Sequence, residues 1–180
     1  MATKAEQGRF SITVEPVELR DLLRLLSAMP KETQALVRDK AQPMSARLKG
    51  QLIMSAMTAP TPQARLMIGA ITTPRDRLIR VDIGGSKKVG RKYGGTASKS
   101  GKGSKVKQSA APAGALLFGS EYGSHSGEDR AGRRYTNRFK ASYSGRGYWI
   151  TPAVDYYLPI VAREYVEMIK QIAASVGKVS

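Results

Sequence analysis

The only histidine is His125, in Ser124-His125-Ser126. Nucleophilic catalysis needs a base held beside its nucleophile. A glycine-rich loop such as this one does not hold the geometry that catalysis demands, so an exposed loop histidine is expected. The chain has no cysteine, which excludes disulfides, thiolate zinc sites and cysteine catalysis. Gly85 and Gly90 have the spacing of a phosphate-binding loop, but Arg91-Lys92 follows with no Ser or Thr after the lysine. The magnesium-binding hydroxyl is thus missing where that chemistry needs it. Glu121, Glu128 and Asp129 are the only grouped carboxylates besides isolated ones. They sit among arginines and are expected to form surface ion pairs rather than an acid–base pair, which needs a cleft. Neither catalysis, nor a metal, nor a cofactor is expected.

Charge is the strongest compositional feature. The formal net charge is +16 in 180 residues, which points to an acidic partner or to nucleic acid. Residues 86–146 hold 14 Lys and Arg against three acidic residues, a surplus of 11. One tract is Lys87, Lys88, Arg91, Lys92, Lys99, Lys102, Lys105 and Lys107. The other is Arg130, Arg133, Arg134, Arg138, Lys140 and Arg146, interleaved with Tyr135, Phe139 and Tyr143. Cations of this kind neutralise phosphates and the aromatics can stack bases. No sequence-reading motif is present, so contact with DNA would be nonspecific and salt-sensitive. A solvated basic loop without a partner is the competing reading. A second candidate surface is the aromatic group Tyr148, Trp149, Tyr156 and Tyr157. It fits either core packing or a subunit interface, where Tyr and Trp are enriched.

These residues need a scaffold. Phe10, Ile12 and Val14 alternate with polar residues and predict a strand at 10–14. Leu19, Leu22, Leu23 and Leu26 recur at helical spacing between Pro16 and Pro30. A longer helix is expected over about 31–58, with Val37, Ala41, Met44, Leu48 and Leu52 on one face and a kink at Pro43. Ala64–Ile71 is apolar and of open type, and 72–75 reads as a turn. Ile79, Val81 and Ile83 alternate with Arg80 and Asp82, which predicts a half-buried strand ended by Gly84-Gly85. From 86 to about 110 lysine, glycine and serine dominate, so a flexible insertion within one domain is expected. A second basic loop runs to about Gly147. Thr151 as N-cap and Pro152 at the first position predict a helix start. Val154, Leu158, Val161, Tyr165, Met168, Ile172 and Val176 then form the apolar face of a C-terminal amphipathic helix, bent near Pro159. No stretch is long and apolar enough to span a membrane. The first nine residues lack the apolar core of a signal peptide, so a cytosolic product is expected.

The order of these pieces resembles the neck and tail-completion (head–tail joining) proteins of long-tailed, siphovirus-type bacteriophages. The likeness covers about residues 31–176. It rests on the helical N-terminal half, an Arg-rich stretch leading to a glycine-ended strand (65–85), an apolar segment closing in a Glu121-Tyr122-Gly123-Ser124 turn, and Tyr148-Trp149-Ile150-Thr151-Pro152-Ala153 at the start of the last helix. Two features depart from the pattern: the 86–109 insertion, and a long basic loop before Tyr148 where relatives are proline-rich. The resemblance implies an α+β fold, a small antiparallel sheet covered by helices. It also implies a non-enzymatic virion protein, assembled in the bacterial host cytoplasm, that forms a homo-oligomeric ring at the head–tail junction. Its neighbours would be connector and tail proteins, with the genome DNA close by. Glu121, Tyr122, Tyr148, Trp149, Tyr156 and Tyr157 would then lie at subunit contacts. A nonspecific nucleic-acid-binding module is the alternative from the charge alone.

Overall fold

The computed structural model describes residues 9–13, 27, 30–93, 109–123, 127–128, 134–135 and 147–177, with the side chains of 91–93, 109, 127–128, 134–135 and 176–177 left out. The fold is α+β: helices wrapped on a small antiparallel sheet. Strand β1 (Arg9–Thr13) is followed by helix α1 (Lys31–Thr58), helix α2 (Pro62–Met67) and a 3-10 turn at Ile68–Ala70. Strands β2 (Ile71–Thr72), β3 (Arg80–Gly84), β4 (Lys88–Tyr93) and β5 (Ser109–Pro112) lead into helix α3 (Ala113–Tyr122). A short hairpin, β6 (Gly127–Glu128) and β7 (Arg134–Tyr135), precedes the last helix, α4 (Ile150–Gly177).

The main sheet has the order β1-β3-β2. Ile12 pairs with Val81, and Ile71 with Ile83. Their side chains are buried, with Ile79 beside them. One apolar face of α1 carries Val37, Ala41, Leu48, Leu52 and Ala56 into this core. Helix α4 brings Val161, Tyr165, Ile169 and Ile172. The two long helices run antiparallel. Arg47 of α1 is ion-paired to Glu164 of α4, and eight residues further along α1 the Ser55 hydroxyl donates to the Trp149 carbonyl at 2.7 Å. Within this core the Tyr165 hydroxyl donates to the Arg77 carbonyl. Burial, with the Asp76 carboxylate nearby, pushes that phenol up to about 12.

Several expectations meet their elements. The strand at the N-terminus, α1 from 31 to 58 with Pro43 inside it, the strand ended by two glycines and the C-terminal amphipathic helix are all present. Gly84 and Gly85 have φ of 99° and 77°, a turn that glycine adopts without the Cβ penalty. Residues 16–29 lie outside the described residues except for Ser27, which is helical.

Four expectations change. Ala64–Ile71 is not one element: it continues a short helix, passes through the 3-10 turn and ends in β2. Asp82 does not face solvent, since β3 is buried on both faces. Its carboxylate takes hydrogen bonds from Ser11 and, at 2.9 and 3.2 Å, from Arg80. The basic insertion is not without structure at its ends, because Lys88–Tyr93 and Ser109–Pro112 pair as antiparallel strands. Residues 94–108 between them lie outside the described residues. Finally, of the turn expected at 121–124, Glu121 and Tyr122 belong to the end of α3, and Ser124 lies outside the described residues. Gly123 closes that helix at φ 73°, its N–H donating to the Gly119 carbonyl at 3.0 Å.

Candidate subunit interface and basic hairpins

The start of α4 is fixed by a carboxylate from another helix. A helix leaves its first backbone N–H groups without intrahelical partners, and a negative group there is favoured by the helix dipole. Thr151 was the expected cap. Instead Glu121, near the end of α3, reaches across. Its Oε2 accepts from the N–H of Trp149 at 3.0 Å and of Ile150 at 2.7 Å, and its Oε1 from Thr151 at 2.8 Å. The Glu121 carbonyl also takes the Tyr148 N–H at 2.7 Å. Pro152, next in line, has no N–H to satisfy. Gly147 makes room for this arrangement: it has φ 90°, and a Cβ there would fall 2.0 Å from Glu121 Oε1.

A buried polar cluster extends behind the cap. Trp149 Nε1 donates to the Ser120 hydroxyl at 3.3 Å, and that hydroxyl donates to the Leu117 carbonyl at 2.7 Å. Thr61 donates to the Ser120 carbonyl at 3.0 Å. Trp149, Ser120, Thr61 and Glu121 are all buried. Buried polar groups hold position only when they are paired in this way. The cluster therefore ties the starts of α2 and α4 to the end of α3, and the bond from the Ser55 hydroxyl to the Trp149 carbonyl adds α1.

Two of the candidate interface residues, Glu121 and Trp149, are buried within this chain. Among the described residues Glu121 forms no ion pair; its carboxylate oxygens accept from backbone N–H groups instead. Both residues are held inside the chain because the helix start needs an acceptor and the core needs volume. Tyr148 and Tyr157 are half-buried against the core. Tyr156 is 74% exposed and Tyr122 is exposed as well. The aromatic group is thus split between core and surface.

An exposed apolar patch lies beside the cap. Phe10, Phe118 and Tyr122 surround a small depression floored by Leu117 and Ile150. Phe118 is 58% exposed although it sits one turn from the capping carboxylate. Neither Phe10 nor Phe118 was singled out from sequence for such a role. In α3 Leu117 is buried and its neighbour Phe118 is not, a difference that the sequence of the helix does not signal.

Five residues of the basic tracts fall among the described residues. Lys87 and Lys88 are exposed at the start of the β4–β5 hairpin. The Lys87 ammonium donates to the Gly69 carbonyl. Arg91 and Lys92 lie on β4 and Arg134 on β7. Lys99, Lys102, Lys105, Lys107, Arg130, Arg133, Arg138, Lys140 and Arg146 lie outside the described residues, as does His125. Among the described residues no three His, Cys, Asp or Glu side chains gather as metal ligands. No described helix is long and apolar enough to cross a membrane. Comparison with protein-family models, with curated proteins and with solved structures finds no match for this chain.

Proposed function

We propose that this chain is a non-enzymatic virion structural protein of the head–tail junction of a long-tailed bacteriophage. It self-associates and joins connector to tail, acting in the virion after assembly in the host cytoplasm. The observation that carries the reading is the exposed Phe10–Phe118–Tyr122 patch, set on a helix junction that is pinned internally. Exposed clusters of large aromatic side chains are costly in water and are typical of interface cores. A rigid base under such a patch lowers the ordering cost of association. The basic hairpins suit an acidic neighbouring ring or the passing genome.

Light scattering on the purified protein tests this. A ring-sized particle is expected, converting to monomer in Phe118→Asp with the fold retained by circular dichroism. A wild-type monomer at all accessible concentrations would count against self-association. The charge of +16 favours a second reading, a nonspecific nucleic-acid-binding module. Tight duplex binding by a monomer, weakening steeply as salt rises, would move the assignment there.

A further inference from the structure

A second pocket, of about 150 Å³, opens at the turn between β3 and β4. Arg9, Thr72, Asp82, Ser86 and Lys87 line it. The turn that forms its wall is held from behind. The first N–H groups of α3 donate to it, Ala113 to the Lys87 carbonyl at 2.8 Å and Gly114 to the Gly85 carbonyl at 2.9 Å. The Lys87 ammonium is anchored by one of its three protons on the Gly69 carbonyl, which leaves donors for a ligand. Across the pocket, the Arg9 guanidinium passes over Gly85: a Cβ there would sit 3.7 Å from Arg9 Nε. Asp82 at the floor offsets part of this charge, although Arg80 also pairs with it through two hydrogen bonds. Arg9 stands 4.0 Å from that carboxylate and is 63% exposed.

Two cations, Arg9 and Lys87, thus line a cup with Thr72 and Ser86, and the Arg80-paired Asp82 lies at its floor. We infer that this pocket is an oxyanion site that seats one phosphate, and that the phosphate belongs to a nucleic-acid backbone. The second part follows from continuity: β4 leaves the pocket carrying Lys88, Arg91 and Lys92 within five residues of Lys87. The exposed Lys88 is the next cation that a polyanion seated at Lys87 meets, and the sequence of β4 continues with Arg91 and Lys92. Free phosphate shares the chemistry but gains nothing from that run of charge. The inference goes beyond the assembly reading, since the pocket and the Phe10–Phe118–Tyr122 patch share no residue.

The test uses the full-length protein and a short duplex DNA, with affinity read by fluorescence anisotropy between 50 and 200 mM salt. Wild type is compared with Arg9→Gln/Lys87→Gln, with the charge-preserving Arg9→Lys/Lys87→Arg, and with Lys40→Gln/Lys170→Gln on exposed helix faces. Each phosphate neutralised contributes about 0.9 to the slope of log affinity against log salt. One shared phosphate predicts that the pocket double variant lowers the slope by about 0.9, with the charge-preserving and helix-face variants near wild type. A fall of about 1.8 would mean two separate phosphates and would overturn the shared site. Equal losses in the pocket and helix-face variants, or no duplex binding by wild type at 50 mM salt, would overturn it too. Amide NMR with inorganic phosphate distinguishes the source. Shifts at Gly85, Ser86 and Lys87 with phosphate, without any pocket-dependent DNA binding, would replace the nucleic-acid assignment by a free-phosphate one.

Discussion

Glu121 shows how one side chain can hold a junction. Its two oxygens receive three backbone donors, and the acceptors must be negative and small enough to pass Gly147. Glu121→Gln keeps the shape but turns an amide NH₂ towards a donor. A loss of about 1.5–3 kcal/mol is expected, the range for hydrogen bonds to a charged group, measured by urea denaturation. A loss below about 0.5 kcal/mol would mean that the cap is dispensable. Asp82 makes a pH-dependent contribution. Burial pushes its carboxyl up, but the Ser11 and Arg80 hydrogen bonds and the charges of Arg80 and Arg9 outweigh that and hold it below the usual 3.8. A carboxyl lowered by folding stabilises above its ordinary value, and the benefit disappears as pH falls through the lowered one. Stability against urea should therefore fall below about pH 4, and less steeply in Asp82→Asn. Neither residue was legible as such. An alternating strand implies an outward Asp82, and the partners that keep it buried include Ser11, 71 positions away. Glu121 likewise meets its donors 28 to 30 positions on.

At the scale of elements the legible parts were those with one-sided burial. Helix α1 repeats apolar side chains on a single stripe, and its ends are marked by Pro30, Pro60 and Pro62. Helix α4 does the same over 28 residues. The β4–β5 pair was missed because neither strand, Lys-Val-Gly-Arg-Lys-Tyr or Ser-Ala-Ala-Pro, shows an apolar alternation, and each finds its partner across 94–108. Among its described side chains, Val89 and Ala111, which pair in register, are the buried ones. The stripe on α1 also predicts unequal costs of substitution. Leu48→Ala, at a fully buried position, should cost about 2–5 kcal/mol through transfer and cavity terms. Met54→Ala, 61% exposed on the other side, should stay within about 0.5 kcal/mol. Thermal melts of the two variants check this, and similar losses would mean that Met54 is covered in solution.

Over the whole molecule, charge acts against compactness. A net +16 on a chain of 180 residues repels itself, and salt screens that repulsion over about 8–10 Å. In the absence of a partner, raising salt from 50 to 300 mM should raise Tm. About 1 kcal/mol of relieved repulsion corresponds to roughly 2–4 °C for a domain of this size. A Tm that falls with salt would show that the ion pairs, such as Arg75–Asp39 and Arg47–Glu164, outweigh the repulsion. The α+β class and the apolar stripes could be read before any coordinates. The surface that a partner would meet could not, because exposure of Phe118 depends on how α3 is rotated against β3 and α4.

The bond between the Tyr148 N–H and the Glu121 carbonyl, at 2.7 Å, has a further consequence for the chain between them. Both ends of the 123–147 segment leave from one welded point. Holding those ends together brings the length of the chain between them into stability through loop closure. Doubling such a loop costs only about 0.6 kcal/mol. The junction is then a socket: replacing 124–146 by a shorter or longer linker, with Glu121 and Gly147 kept, is expected to leave the helical circular dichroism of the protein unchanged.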